Sequence, residues 1–250
     1  MGFVKEQFRN TVGRMRGHRY RATARGRPEF ECPICGYIGP FMDDANRNEA
    51  KCPRCLGVER HRLLWLTIRE LSSRYNFDEK SLLHVGPEKQ FRDRFRRRFG
   101  GYTSADLEAA GVDHNVDLCD LPFPERTFDV VIAGHVLEHI REDRIALANI
   151  RRVLKPGGFA ILQVPVFGPH TVEYPAPNPY EWDHVRAPGE DYFDRYEEVF
   201  SRVEKFRSSD FNERYQPFVF EDRSSWSENY PLRPTSPGLQ HEDIVPVCYV

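Results

Sequence analysis

From Ser81 to Val164 the chain alternates short apolar runs with helical stretches, and this alternation limits the possible folds more than any other feature. Ser81 to Gly86 (SLLHVG) reads as a strand, after which Phe91, Phe95 and Phe99 recur at helical spacing on a basic helix. Tyr102 to Asp106 reads as a second strand and His114 to Cys119 as a short third. Phe128 to Ala133 (FDVVIA) is the clearest buried strand. Ile140, Leu147, Ile150 and Leu154 then form one helical stripe that stops at Lys155-Pro156-Gly157-Gly158, before a further strand over Phe159 to Val164. Apolar strands joined by helical crossovers pack into a parallel sheet covered on both faces. The expected fold class is therefore α/β. A strand near Val203 to Phe206, an irregular stretch over 207–242 and a closing strand over Ile244 to Val250 complete the reading.

A chain of 250 residues, 40% hydrophobic and 30% charged, is long enough to bury a core and too apolar to be largely disordered. Thirty-six Lys and Arg against 38 Asp and Glu give a formal charge of −2, which excludes a polycation that holds nucleic acid by bulk charge. No apolar run approaches the roughly 18 residues of a membrane helix, and no apolar stretch follows the basic N-terminus. A cytoplasmic protein without a membrane contact is expected. Residues 1–28 carry Lys5, Arg9, Arg14, Arg16, Arg19, Arg21, Arg25 and Arg27 against the single acid Glu6. This segment reads as a flexible basic arm, either a solubilising or poorly ordered tail or a contact for phosphate, RNA or an anionic surface.

Four of the six cysteines form two Cys-x-x-Cys pairs, Cys32/Cys35 and Cys52/Cys55, separated by 16 residues. Each pair bends into a knuckle whose sulfurs face one point, and four thiolates complete a tetrahedral zinc shell with no position left for water. The expectation is a structural zinc ribbon over 29–58. Gly36 and Gly57 sit just past the pairs, where such turns need small residues. Leu64, Ile68, Leu71 and Tyr75 then mark a connector helix within 59–80, and the main domain spans 81–250.

Three stretches of that domain carry a family likeness: Val116-Asp117-Leu118-Cys119-Asp120-Leu121-Pro122-Phe123-Pro124, Thr127-Phe128-Asp129-Val130-Val131-Ile132, and His135-Val136-Leu137-Glu138-His139. Together with the Lys155-Pro156-Gly157-Gly158 turn, they closely resemble the class I S-adenosylmethionine-dependent methyltransferases, in the branch called methyltransferase type 11. The resemblance covers roughly residues 81–165. It implies a Rossmann-like seven-stranded sheet whose last strand is antiparallel, beside the small zinc-ribbon module. It further implies that Gly86, with Pro87 and Glu88, passes the methionine part of the donor. Asp106, followed by Leu107, would accept the ribose hydroxyls, Asp117 would hold the adenine amino group beside the Leu118 backbone, and His135 would lie near the methyl. The family's Gly-x-Gly-x-Gly-like run is replaced here by Gly86-Pro87-Glu88-Lys89-Gln90. Glu88 then either binds the donor's ammonium or fills the space that glycines leave.

The reading that follows is an enzyme with S-adenosylmethionine as cofactor, structural zinc, and His135 or His184 as the base. A small-molecule or glycan acceptor is favoured, because the loop from Tyr174 to Tyr192 is long and aromatic. Two alternatives stand: an RNA methyltransferase using the ribbon and residues 1–28, and a non-catalytic zinc-ribbon binding protein on a degenerate methyltransferase fold. Glu173, Asp183 and Arg186 share His184's loop, where an acceptor would approach.

Overall fold

The computed structural model describes residues 2–44, 47–221 and 239–250, with side chains described over 10–44, 47–220 and 240–250. In chain order the elements are α1 (Gly2–Thr23), β1 (Phe30–Glu31), β2 (Ile38–Gly39), β3 (Met42–Asp44), β4 (Arg47–Lys51), α2 (Glu59–Leu71), β5 (Ser81–Val85), α3 (Arg92–Arg98), β6 (Gly101–Asp106) and β7 (His114–Asn115). They continue with β8 (Phe128–Ala133), α4 (Asp143–Val153), β9 (Leu154–Ile161), β10 (Val172–Asn178), β11 (His184–Ala187), α5 (Asp194–Glu197), β12 (Arg202–Arg207), β13 (Val219–Glu221), β14 (Leu239–His241) and β15 (Ile244–Tyr249). These elements form two compact units. The cysteine unit takes the described residues up to 70 with 207–221 and 239–243, and the sheet unit takes Leu71–Phe206 with Ile244–Val250.

The sheet unit carries a seven-stranded sheet in the order β12-β15-β9-β8-β5-β6-β7. Strands β5, β6, β7, β8 and β9 pair in parallel, while β15 runs antiparallel to β9. The central strands are buried on both faces, so Leu82, Leu83, Val130, Val131, Ile132, Ala160 and Ile161 are all at or below 1% exposure. That is why they read as continuous apolar runs rather than alternating ones. Helix α4 adds Ala146, Leu147, Ile150 and Val153 to the same core, with Tyr192 and Phe193 from the turn entering α5 and Tyr196 from α5 itself. The Lys155-Pro156-Gly157-Gly158 stretch loops out of β9 as a bulge, since Phe128 faces Leu154 but Val130 faces Phe159. The third strand is shorter than the sequence suggests, because Leu118–Asp120 coils into a 3-10 turn capped by Asp117.

The cysteine unit is built otherwise. Its four-stranded sheet, in the order β14-β13-β4-β3, joins the β3–β4 hairpin to strands near the other end of the chain. Residues 207–221 and 239–243, expected to belong to the 81–250 domain, thus pack with the ribbon, while the stretch 222–238 of the expected irregular segment lies outside the described residues. The expected flexible arm is helix α1. Gly13 and Gly17, four residues apart, present a flat face: a Cβ on Gly13 would come within 2.5 Å of the Arg54 carbonyl oxygen, and one on Gly17 within 3.2 Å of the Tyr37 ring. Arg16 donates to the Pro53 and Arg54 carbonyls, and Arg21 and Arg27 pair with Glu29 and Asp43. Part of the charge that reads as free in the sequence, on Arg16, Arg21 and Arg27, is paired within the unit. No helix among the described residues is long and apolar enough to cross a membrane.

Candidate active site and metal centre

In an open parallel sheet, ligands bind beyond the carboxyl ends of the strands where the strand order reverses. Here the chain moves outward from β5 to β6 and β7, then returns to place β8 on the other side of β5, so the switch point lies between β5 and β8. Gly86 follows β5 at φ +59°, and a Cβ there would stand 3.1 Å from Val136 Cγ2. Gly134 follows β8, and a Cβ there would meet Glu88 Oε1 at 3.0 Å. Glycine at both strand ends leaves room for Val136 and Glu88 to approach the backbone this closely.

Glu88 enters this crevice from the turn after Gly86-Pro87, and the buried His84 of β5 holds it. His84 Nε2 lies 3.1 Å from Glu88 Oε2, and His84 Nδ1 lies 3.0 Å from the Tyr102 hydroxyl. Burial pushes the Tyr102 hydroxyl up to about 12, so it is a phenol at neutral pH. Asp106 ends β6 and accepts the amides of Glu108 and Ala109 through Oδ1, at 3.0 and 2.9 Å, with exposed Leu107 inside the turn. Asp117 is exposed and accepts the Cys119 amide at 2.8 Å, with Leu118 buried behind it. Gly86, Asp106, Asp117 and His135 therefore line the same edge of the sheet, each at or just beyond the carboxyl end of a different parallel strand.

His135 follows β8 in the left-handed region at φ +57°, a conformation unusual for a residue with a side chain. Its amide donates to the Gln163 carbonyl at 2.8 Å, and its Nδ1 stands 3.2 Å from Glu138 Oε1. Glu138 and His139 occupy a 3-10 turn, with Glu138 fully buried and His139 exposed. The β10–β11 hairpin brings His184 to them: the His139 and His184 rings meet edge-on, centroids 4.7 Å apart. One donor atom each from Glu138, His139 and His184 lies within 4.8 Å of the others. The structure pairs His135 with Glu138 and His139 with His184.

A buried arginine fixes this arrangement. Arg186 of β11 donates to the carbonyls of Leu137, Ile140 and Arg141, which bracket Glu138 and His139, at 2.8, 2.5 and 3.0 Å. It also donates to Glu173 at 2.9 Å, and Arg195 joins Glu173 and Asp143. Burial alone would raise the Glu173 carboxyl, but the two guanidinium groups hold it below its ordinary range. Asp183, at the hairpin tip, donates its amide to the Asn178 carbonyl and has φ +61°, beside Trp182 at φ +54°. The sequence reading did not single out Glu181, whose buried carboxylate lies 3.8 Å from His184 Nδ1 and accepts the Tyr174 hydroxyl at 2.8 Å. Only the hairpin pairing, seven residues apart along the chain, reveals that contact.

In the cysteine unit, Cys32, Cys35, Cys52 and Cys55 also bring their sulfurs within 4.8 Å of one another. Cys32 and Cys55 sulfurs are 3.6 Å apart, and Cys35 and Cys52 sulfurs 3.7 Å apart. Tetrahedral zinc with bonds of about 2.3 Å needs sulfur edges of about 3.8 Å, so the donor set fits that metal. Both knuckles close with the same hydrogen bonds: Gly36 to the Cys32 carbonyl and Leu56 to the Cys52 carbonyl, each at 2.9 Å. Gly36 (φ +68°) and Leu56 (φ +62°) occupy matching left-handed positions. Gly57 is small for another reason, since a Cβ there would press on Ile34 at 2.9 Å and the Cys55 sulfur at 3.3 Å.

Residues 74–162 match the family model described as a methyltransferase domain. Among curated proteins, a demethylmenaquinone methyltransferase of Corynebacterium glutamicum is 37% identical over 82 residues, covering 28% of this chain and 36% of the relative. An uncharacterized methyltransferase of Schizosaccharomyces pombe is 49% identical over 39 residues, covering 16% and 14%. The chain spans only 2% to 36% of the length of such curated relatives. Among solved structures, an S-adenosylmethionine-dependent methyltransferase from Mesorhizobium loti aligns with TM-score 0.45 at 16% identity, over 74% of this chain and 97% of that one. One from Archaeoglobus fulgidus aligns with TM-score 0.47 at 13% identity, over 78% and 95%. The matched stretch 74–162 contains β5 to β9, and so all the strand ends that border the crevice.

Proposed function

We propose that the chain, which carries a methyltransferase domain, transfers a methyl group from S-adenosylmethionine to a small-molecule or glycan acceptor. The observation that carries this reading is the coincidence of the domain match with the switch-point crevice, bordered by Gly86, Asp106, Asp117 and His135. Bound donor supplies a methyl already activated by the sulfonium. The residues' work is to hold and align two reactants and to take a proton.

Asp106 receives the ribose hydroxyls beside Leu107, and Asp117 receives the adenine amino group beside Leu118. Gly86 and Pro87 let the backbone pass close to the donor. Glu88, an anion pulled into the crevice by His84, meets the ammonium of the donor's amino-acid end, which answers for the missing glycines. A neutral imidazole, His135 or His184, accepts the acceptor's proton as the new bond forms.

The cysteine unit holds a structural zinc ion on Cys32, Cys35, Cys52 and Cys55, in a cytoplasm that keeps these thiols reduced. The anchoring of Arg16, Arg21 and Arg27 within the unit supports the small-molecule over the RNA reading. Arg14, Arg19 and Arg25 keep exposed side chains on the RNA alternative's behalf.

Calorimetric titration of zinc-loaded protein with S-adenosylhomocysteine tests the donor reading. Binding on the order of micromolar is expected, with at least tenfold loss in Asp106→Ala and in Asp117→Ala. Unchanged affinity in both variants would overturn the pocket, and no binding to folded protein would return the function to the cysteine unit. Salt-dependent RNA binding, lost on removal of residues 1–28, would reverse the choice of acceptor.

A further inference from the structure

We propose that Glu138, His139 and His184 form a second metal centre, a divalent-cation site of two imidazoles and one carboxylate, distinct from the four cysteines. Three donor atoms from two separate chain segments converge within 4.8 Å, with no sulfur among them. Two-His-one-carboxylate sets of this kind suit borderline and harder divalent ions such as Mn²⁺, Fe²⁺ or Zn²⁺. Glu138 is fully buried, and Glu181, also fully buried, brings its carboxylate to 3.8 Å from His184 Nδ1. Two carboxylates are thus drawn out of water beside two imidazoles, where burial penalises negative charge and a dication balances it.

The surroundings are those of a built centre. Glu181 lies 3.8 Å from His184 Nδ1 and is itself fixed by the Tyr174 hydroxyl, the kind of outer carboxylate that orients a ligating imidazole. The Arg186 bonds to the Leu137, Ile140 and Arg141 carbonyls fix the segment that carries Glu138 and His139 against the strand that carries His184. The donors are thereby positioned by backbone rather than by mobile side chains. His139 is exposed and Trp182 beside His184 is 78% exposed, which gives an ion a path in from solvent. Three protein ligands leave coordination positions open, the pattern of a site that receives a further ligand.

The centre adjoins His135, at the end of β8 on the crevice. Resting on the methyl-transfer reading above, the open positions would take an oxygen of the acceptor and lower the pKa of its proton. His184 is then a ligand, and His135 is left as the base.

Mn²⁺ alone is the probe, because thiolates select softer ions and the cysteines already hold zinc. Protein brought to one zinc per chain, which the four thiolates take first, is titrated with Mn²⁺ and followed by the electron paramagnetic resonance of the free ion; it should bind one Mn²⁺ per chain saturably. His139→Ala, at an exposed position that folding tolerates, should weaken binding at least tenfold, as should Glu138→Gln. Glu181→Gln should weaken it roughly 10- to 100-fold through His184. No saturable binding by the unsubstituted chain, or equal affinity in the His139 and Glu138 variants, overturns the proposal. S-adenosylhomocysteine titration of the same samples separates the two readings. Donor analogue bound without Mn²⁺ rejects the cation site alone, and Mn²⁺ bound without donor analogue rejects the methyl-transfer reading alone.

Discussion

Each unit is organised around one fully buried arginine, and the two arginines do different work. In the cysteine unit Arg62 donates to the Ala50, Gly57 and Gln216 carbonyls at 2.7, 3.2 and 2.9 Å and to the Gln216 side-chain oxygen at 2.5 Å, with its guanidinium 4.7 Å from the Phe41 ring centroid. Burial lowers its pKa, while Glu59 and the nearby cysteines oppose that shift. In the sheet unit Arg186 combines three carbonyls with the carboxylate of Glu173. Strands of two to five residues give the cysteine unit little apolar area, and Arg62 ties both halves of that unit together from the middle. The sheet unit has a continuous apolar core without Arg186, which fixes one hairpin instead. A polar hub carries a fold where apolar burial is scarce, and merely places a site where burial is plentiful.

The largest expected effect breaks the comparison at its metal. Cys52→Ser removes one of four ligands, and structural zinc in small peptides is worth on the order of 10–16 kcal/mol of folding energy. The expected outcome is loss of zinc by elemental analysis and protease cleavage within the cysteine unit, while the sheet unit keeps its protection. Uniform digestion of the whole chain would show that the sheet does not stand on its apolar core.

Next come the hubs themselves. Arg62→Met strands three backbone carbonyls and a side-chain amide in a small core, at a cost of about 4 kcal/mol. Arg186→Met leaves Glu173 and Asp143 still paired with Arg195, so about 3 kcal/mol is expected. Urea unfolding followed by a probe in each unit measures both. A larger loss at Arg186 would invert the proposed division of labour.

The legibility of the sequence divided along the same line. Buried parallel strands such as Phe128–Ala133 announce themselves, because both faces are apolar and no polar residue interrupts the run. The cysteine spacing is equally plain. The closing partners of the cysteine unit were hidden, since β13 and β14 lie more than 160 residues beyond β4 and are three residues each. Helix α1 was hidden for a different reason: its docking face is Gly13 and Gly17, residues that argue against a helix when read locally. At the candidate site, the strand ends at Gly86 and Asp106 follow from local patterning and Asp117 from the family resemblance, whereas the meeting of His184 with Glu138 and His139 depends on the β10–β11 hairpin, a tertiary arrangement.

The smallest effects lie inside the cysteine unit, between its two knuckles. The left-handed position after the second cysteine is Gly36 in one and Leu56 in the other. Nothing lies within 4 Å of a Cβ built on Gly36, so Gly36→Ala introduces backbone strain without a clash, about 1 kcal/mol. Leu56 already bears that strain, and 37% of its surface is exposed, so it recovers only part of the cost through packing. Leu56→Gly relieves the strain but adds freedom to the unfolded chain, leaving a net gain of about 0.5 kcal/mol. Opposite signs for the two substitutions, measured as shifts of the cysteine unit's thermal midpoint in saturating zinc, are expected. A loss in both would mean that the Leu56 side chain contributes more through contact than its backbone costs, and that the second knuckle is held by packing where the first is held by glycine.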